Sequence, residues 1–301
     1  NLMRTLVAAF AFVLPFSITY QMLCARTLQR RGRKKLSPVI GGLLSGAAVS
    51  LAGNMHYVVF GCIGKWLGWE SAADYWFPDS TRYIGYNPVV ENDKTIHEFP
   101  SYSFVLGDLH AHVVNVMFVL FVIGGVYAYV RRVQEEKAGE GRWDAKSILL
   151  QPHLILLAFF IGIFHWTNYW DFVIYFVVVC CGALYSALYR YNCRAKQVVS
   201  TVLIQAAEVF AIGTIAALPF TISFQTMVSG VALAQNHSML YQLVILWGLP
   251  AALVLLFLAA VFLTWKRIEA PMGAEADASE KRREDAFSRE MTEKATDEAK
   301  Q

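Results

Sequence analysis

The chain has 301 residues, 56% of them hydrophobic, and its mean hydropathy is +0.41. An average soluble domain has roughly 45–50% apolar residues, so this composition excludes an ordinary soluble protein. The net charge of +3 provides no basic field of the kind that attracts nucleic acid, and we expect no nucleic-acid partner.

The apolar residues form runs long enough to cross a bilayer, which takes about 20 residues in an α-helix. They predict an all-α, polytopic transmembrane bundle of about seven spans. In chain order the predicted spans are residues 2–24, 39–67, 104–130, 148–164, 172–189, 198–218 and 241–265. We expect a transmembrane domain over residues 1–268 and a charged tail over residues 269–301.

Lys and Arg concentrate in the connections after the first, third and fifth predicted spans. Cationic loops are retained in the cytoplasm during membrane insertion. The other three connections are the predicted loops 68–103, 165–171 and 219–240, whose only cations are Arg82 and Lys94. The asymmetry predicts an integral membrane protein whose N-terminus and these three loops lie outside, with the tail in the cytoplasm.

The densest group of ionisable residues enters the third predicted span, at Glu98, Asp108, His110 and His112. Ionisable groups are costly in lipid and mark functional sites. Asp108 and His110 suit a divalent cation, but two residues apart on a regular helix they point in different directions. Joint ligation therefore needs an extended backbone, which Gly107 permits. The alternative is that Asp108 caps the helix and that Glu98 is merely solvated.

Three further polar positions carry open alternatives. Trp170 belongs to a group of aromatic residues that an interfacial belt explains, but such a belt does not explain Asp171 beside it. The guanidinium of Arg82 suits bidentate binding of phosphate, or a surface salt bridge to a neighbouring acid. His237 is either a ligand of the same site or an ordinary loop histidine.

Several of these residues lie in motifs that resemble a known family. The motifs are Thr81-Arg82-Tyr83-Ile84, His97-Glu98-Phe99-Pro100, Gly107-Asp108-Leu109-His110-Ala111-His112, Asn168-Tyr169-Trp170-Asp171-Phe172 and Leu218-Pro219-Phe220. They resemble the multi-spanning membrane proteins called the YYY or DUF2298 family, which is grouped with the GT-C glycosyltransferases.

The resemblance implies a GT-C-like fold and sugar transfer from a polyprenyl-phosphate-linked donor at an extracytoplasmic site. Asp108-Leu109-His110 resembles the superfamily's second metal motif, which implies Mg²⁺ or Mn²⁺ on Asp108 and His110. The site residues that follow from the residues and the resemblance together are catalytic Asp108, Glu98 and Asp171, and substrate-binding Arg82, His112, Trp170 and His237.

The superfamily's first acidic loop has no counterpart here and would lie before Asn1. We therefore expect another membrane subunit, or an N-terminal part, to complete the site. The alternative to a glycosyltransferase is a non-catalytic structural or assembly subunit that retains the fold. A transporter is a third hypothesis, which the gathering of polar residues at one membrane boundary disfavours.

Overall fold

A computed structural model describes residues 2–29, 37–91, 94–136, 138–224, 233 and 236–264. The expected tail 269–301, the basic residues 30–35 and residues 225–232 of the third predicted outer loop lie outside these ranges. The chain divides into two compact units. The first comprises Asn1–Gly53 and Val89–Asn236, and the second comprises Asn54–Pro88 and His237–Gln301.

The described residues form helices and no strands. The helices are α1 (Leu2–Gln29), α2 (Pro38–Ser50), α3 (Tyr57–Leu67), α4 (Pro100–Leu106), α5 (Ala111–Gln134), α6 (Ala145–Ile148), α7 (Pro152–Thr167), α8 (Tyr169–Tyr191), α9 (Ala195–Thr221) and α10 (Leu240–Thr264). Five of them, α1, α5, α8, α9 and α10, are long and apolar enough to cross a membrane. The predicted helical membrane bundle is confirmed.

The predicted single span over residues 39–67 is wrong. Two short helices, α2 and α3, replace it, with an interruption at residues 51–56. Asn54 lies in the interruption, where its amide donates to the carbonyl of Ser80 at 2.6 Å and its Oδ1 accepts from the backbone N–H of His56 at 3.0 Å. Such side-chain bonds to the backbone compete with helix formation. Averaged hydropathy over a long apolar run does not reveal this break.

Two other predicted spans also differ from the structure. The span predicted over 104–130 is divided at Gly107, where α4 ends, and the transmembrane helix α5 begins only at Ala111. The span predicted over 148–164 is the 16-residue α7. A helix of that length extends about 24 Å, less than the roughly 30 Å of a hydrocarbon core.

In the first unit, α1, α5 and α8 run parallel to one another, because residues near their starts meet and residues further along also meet. Helix α7 runs in the opposite direction, since Thr167 at its end donates to Asn115 near the start of α5 at 2.7 Å. The contacts that establish the parallel direction are Arg4 with Gly107, Ile18 with Gly124, Asn115 with Asp171, and Gln134 with Tyr185. We call the end that holds Arg4, residues 107–112 and residues 165–171 the histidine end.

Helix α7 is at the centre of this unit. Leu154, Leu157, Ile161 and Phe164 on α7 are fully buried and pack with buried residues of α5, α8 and α9. A Cβ on Gly162 would overlap the backbone of α9 at Gly213, so the two helix backbones are in close contact. Small residues commonly permit such approach between membrane helices.

The opposite end of the first unit is held by one buried cation. Arg190 on α8 is 6% exposed. Its Nε and Nη2 donate to the two carboxylate oxygens of Glu136 at 2.9 and 2.8 Å, and its Nη1 donates to the carbonyl of Ser147 at 2.9 Å. This arginine cluster (Arg190, Glu136 and Ser147) fastens the α5–α7 connection to α8.

The second unit contains α3, α10 and the turns between residues 68 and 88. Tyr83, Ile84 and Leu246 are buried together. The amide of Gln242, on the first turn of α10, donates to the carbonyl of Asn87 at 2.7 Å. The turns are therefore attached to the beginning of α10.

Candidate metal site

A sharp turn between α4 and α5 gathers polar side chains at the histidine end. Gly107 ends α4 with φ +75°, a conformation that favours glycine. His110 is extended (φ −70°, ψ 160°) and is the N-cap residue of α5. The backbone N–H of Asp108 donates to the carbonyl of Ser103 at 3.0 Å. The chain thus leaves the helical conformation across residues 107–110 and is extended at His110.

Glu98 is the centre of the gathered group. Its Oε2 lies 3.0 Å from His110 Nδ1 and 3.1 Å from His112 Nε2. The Glu98 side chain is 11% exposed, whereas those of His110 and His112 are 53% and 47% exposed. Ser103 on α4 also donates to Glu98 Oε2, at 3.4 Å. A nearly buried carboxylate therefore faces two accessible imidazoles, and we call Glu98, His110 and His112 the histidine cluster.

Asp108 contacts the other nitrogen of the same imidazole. Its Oδ2 lies 3.3 Å from His110 Nε2. The N-cap of α5 is His110, whose side chain makes no capping hydrogen bond. Asp108 is therefore not the N-cap residue of α5. Asp108 instead orients the ring that faces Glu98.

The negative charges also affect the imidazole. The hydrogen bond that His110 donates to Glu98 and the negative charges of Glu98 and Asp108 raise the pKa of His110. The nearby His97 lacks such partners, and burial lowers its pKa. His97 lies beside the cluster in sequence but bonds to Thr95, at 2.8 Å from its Nε2.

The histidine cluster has the geometry of a metal site. One ligand atom from each of Glu98, His110 and His112 lies within 4.8 Å of the others. Neighbouring ligand atoms of an ion with bonds of about 2.1 Å lie roughly 3.0–3.4 Å apart, which matches the two measured carboxylate–imidazole distances. The pair predicted from sequence, Asp108 with His110, uses the opposite edge of the ring and stays a prediction.

Sequence reasoning overlooked one cation at this end. The guanidinium of Arg4, near the start of α1, lies against Gly107 in the space that a Cβ would fill. Arg4 was assigned only to an apolar run because hydropathy does not reveal which helix starts meet. The glycine therefore both forms the turn and leaves room for the positive charge of Arg4.

Asp171 lies at the same end, in the first turn of α8. Its Oδ2 accepts from the amide of Asn168 at 3.0 Å and from the fully buried amide of Asn115. Asn115 follows His112 by three residues on α5, and residues three apart share a helix face. Asp171 therefore lies at the same end of the bundle as His112, and its amide bonds give it a structural role. Its neighbour Trp170 is 71% exposed.

The remaining candidates, Arg82 and His237, belong to the second unit. The Arg82 guanidinium lies over the Trp76 ring, 6.0 Å from its centroid. His237 is exposed, just before α10. Their predicted roles in substrate binding stay predictions.

Comparison with known proteins gives one match. The model of a family described as uncharacterized membrane protein (DUF2298) matches residues 1–291. No curated protein and no solved structure matches the chain. Since the match extends over nearly the whole length, the chain belongs to the DUF2298 family of membrane proteins.

Proposed function

We propose that this chain is a membrane glycosyltransferase, or the metal-binding part of one, that uses a polyprenyl-phosphate-linked sugar. The observation that carries the proposal is the histidine cluster, with Arg4 beside Gly107, at one end of a helical membrane bundle. A donor with a lipid tail and an anionic headgroup needs a positively charged site at a membrane boundary. The resemblance of the motifs to GT-C enzymes supports the same substrate class.

The cluster would hold a divalent cation through Glu98 Oε2, His110 Nδ1 and His112 Nε2. The tautomer of His110 would then carry its proton on Nε2, and this N–H would donate a hydrogen bond to Asp108 Oδ2. Carboxylates that hold the far nitrogen of a ligating histidine orient the ring and raise its basicity. Two imidazoles favour a transition-metal ion such as Mn²⁺ over Mg²⁺, which prefers oxygen ligands.

In the proposed reaction an acceptor hydroxyl attacks C1 of the donor sugar. The bond from C1 to the phosphate oxygen breaks, and the phosphate leaves with the bonding electron pair. A bound cation would neutralise that charge as a Lewis acid, and Arg4 would add a second positive charge within reach of the phosphate. The acceptor's proton passes to a carboxylate, for which Asp108 and Asp171 are the candidates, because Glu98 would ligate the cation.

The orientation we propose keeps the histidine end outside the cytoplasm. The distribution of Lys and Arg supports it. A second membrane subunit would supply an acidic loop of the kind that GT-C enzymes carry.

The test uses the purified chain in lipid nanodiscs with undecaprenyl-phosphate-linked hexoses as donors and methyl glycosides as acceptors. We expect release of undecaprenyl phosphate that stops after chelation and resumes with Mn²⁺. Glu98→Gln should abolish both Mn²⁺ binding and release, since it removes the charge that the ligand set requires. The matched control is His97→Gln, which changes a neighbouring residue outside the cluster and should leave both unchanged.

Two results would contradict the proposal. Mn²⁺ binding without any transfer, also after addition of co-purified membrane subunits, would favour the non-catalytic subunit. Transfer that persists in Glu98→Gln at wild-type rates would place the chemistry elsewhere.

A further inference from the structure

The second unit contains a cavity that the metal cluster does not involve. Its volume is about 240 Å³, and its lining includes His56, Tyr75, Asp79, Arg82 and Tyr83. This volume is below the roughly 300 Å³ at which pockets for drug-sized ligands begin. The cavity therefore suits a single small ring or a few waters.

Local hydrogen bonds build the cavity wall before any ligand arrives. The Thr81 hydroxyl donates to the carbonyl of Pro78 at 2.8 Å, and the Ser80 hydroxyl donates to that of Phe77 at 2.7 Å. Asp79 Oδ2 accepts from the backbone N–H of Trp76 at 3.1 Å. Ser80 and Thr81 are fully buried. Such a pre-formed wall reduces the entropy lost on binding.

Three buried polar atoms at the cavity have no hydrogen-bond partner, and one of them is the hydroxyl of Tyr75. His56 is 95% buried, since only 5% is exposed, and its Nδ1 is unpaired. Nη1 of Arg82 is likewise buried and unpaired. An unsatisfied buried polar group costs about 1–3 kcal/mol. A ligand that offers hydroxyls to these three atoms would recover that cost.

The charges indicate an uncharged ligand. Arg82 supplies a cation and Asp79 an anion to the same cavity, so their formal charges cancel. A phosphate would gain from Arg82 but would be repelled by Asp79. Sugar hydroxyls both donate and accept, and can pair with the guanidinium and the carboxylate together.

Aromatic rings also line the cavity. The ring of His56 lies 4.6 Å from Tyr83 and 4.7 Å from Phe60, measured between centroids. The electron-rich faces of such rings attract the polarised C–H groups of a sugar. The Tyr75 and Tyr83 hydroxyls are protonated at physiological pH, and burial raises their pKa values further, to about 12.

We propose that this cavity is a carbohydrate-binding subsite that takes one neutral pyranose ring. Arg82 and Asp79 bind its hydroxyls, His56 Nδ1 pairs with a further hydroxyl, and the tyrosine rings contact its C–H faces. The proposal depends on the second unit alone and stands whether or not the first unit transfers sugar.

The experiment is saturation-transfer NMR on the full chain in nanodiscs. The probes are the methyl pyranosides of mannose, glucose and galactose, and N-acetylglucosamine, with inorganic phosphate as competitor. We expect saturable binding of at least one glycoside, no competition by phosphate, and at least a tenfold loss of affinity in Asp79→Asn. Asn keeps an acceptor for the Trp76 N–H while removing the charge. Asp74→Asn, an exposed acid in the same connection, is the matched control and should bind normally.

Other outcomes overturn the proposal. Competition by phosphate that strengthens in Asp79→Asn would identify an anion site. If none of the probes binds, the cavity holds only water and is not a carbohydrate-binding subsite. If Asp79→Asn does not fold, Arg82→Gln replaces it, because the unpaired Nη1 contributes little to the fold. Binding in Glu98→Gln should equal that of the wild type, which separates this subsite from the metal cluster.

Discussion

Two polar groups at opposite ends of α5 differ in how completely they are paired. The arginine cluster is buried, and three donors of Arg190 meet acceptors at 2.8–2.9 Å. In the histidine cluster, two half-exposed imidazoles converge on a single oxygen of Glu98. The fully paired donors and acceptors of the arginine cluster stabilise the fold. The solvent-accessible acceptor atoms of the histidine cluster, which converge on one point, suit a cation. Density of polar residues in a sequence does not distinguish these two cases.

The largest expected effect on stability comes from the arginine cluster. Arg190→Ala should lower the free energy of unfolding by about 3 kcal/mol, the lower part of the range for breaking a buried pair, because the Glu136 side chain is 39% exposed. Unfolding in detergent, followed by tryptophan fluorescence, measures it. Arg132→Ala removes an exposed pair with Glu135 and should cost less than about 1 kcal/mol. Equal losses in both variants would contradict the distinction.

The next effect concerns Asp108. Asp108→Asn should weaken Mn²⁺ binding about 10–100-fold, the usual result of removing an outer partner of a ligating histidine. Expression and unfolding should stay near wild type, since Asp108 is not the N-cap residue of α5. Calorimetric titration with Mn²⁺ gives the affinity. Asp144→Asn, a carboxylate at the other end of α5, should bind Mn²⁺ normally, and unchanged binding in Asp108→Asn would remove Asp108 from the site.

Alanine substitutions at two glycines with similar backbone angles distinguish backbone strain from a role in donor binding. Gly107 and Gly139 have φ of +75° and +77°, so alanine at either costs roughly 1–2 kcal/mol. Only at Gly107 would the new Cβ displace Arg4, whereas at Gly139 it would lie 3.1 Å from Asn192. Gly107→Ala should therefore also raise the KM for the lipid-phosphate donor in the transfer assay. If Gly139→Ala raises that KM equally, Arg4 has no special part in donor binding.

The smallest effect is a pH dependence beside the arginine cluster. The backbone N–H of Ser147 donates to Asp144 at 2.9 Å and lowers the pKa of Asp144. The stabilisation is present above the unfolded carboxyl's pKa of about 3.9 and is lost as the pH falls through the depressed folded-state value. The melting temperature of wild type minus that of Asp144→Ala should shrink between pH 6 and pH 3. A constant difference would mean that the charge does not matter.

Much of the fold follows from the sequence, because length and apolarity determine which helices cross a membrane. Helices α1, α5, α8, α9 and α10 were all located this way. The break at Asn54 was not, since its cause is a bond to Ser80, a residue 26 positions away. Hydropathy that is averaged over a window of residues does not detect such a break.

The sequence predicts the stretch in which the histidine cluster lies, but it does not single out Glu98. The sequence leaves Glu98 either solvated or functional, whereas in the structure Glu98 is the centre of the histidine cluster. It meets His110 only because the turn at Gly107 folds α4 back, across 12 positions. Arg4 and Asn115 were overlooked because their roles depend on which helix starts lie together, and no local pattern encodes that.

The most direct test of the histidine cluster is pulsed electron paramagnetic resonance of the Mn²⁺-loaded protein in nanodiscs. We expect coupling to two imidazole nitrogens, from His110 and His112, and coupling to one in His112→Gln. His153→Gln, which changes a histidine at the start of α7, should retain two. A Mn²⁺ signal without nitrogen coupling, or one that His112→Gln leaves unchanged, would contradict the assignment of the metal to Glu98, His110 and His112.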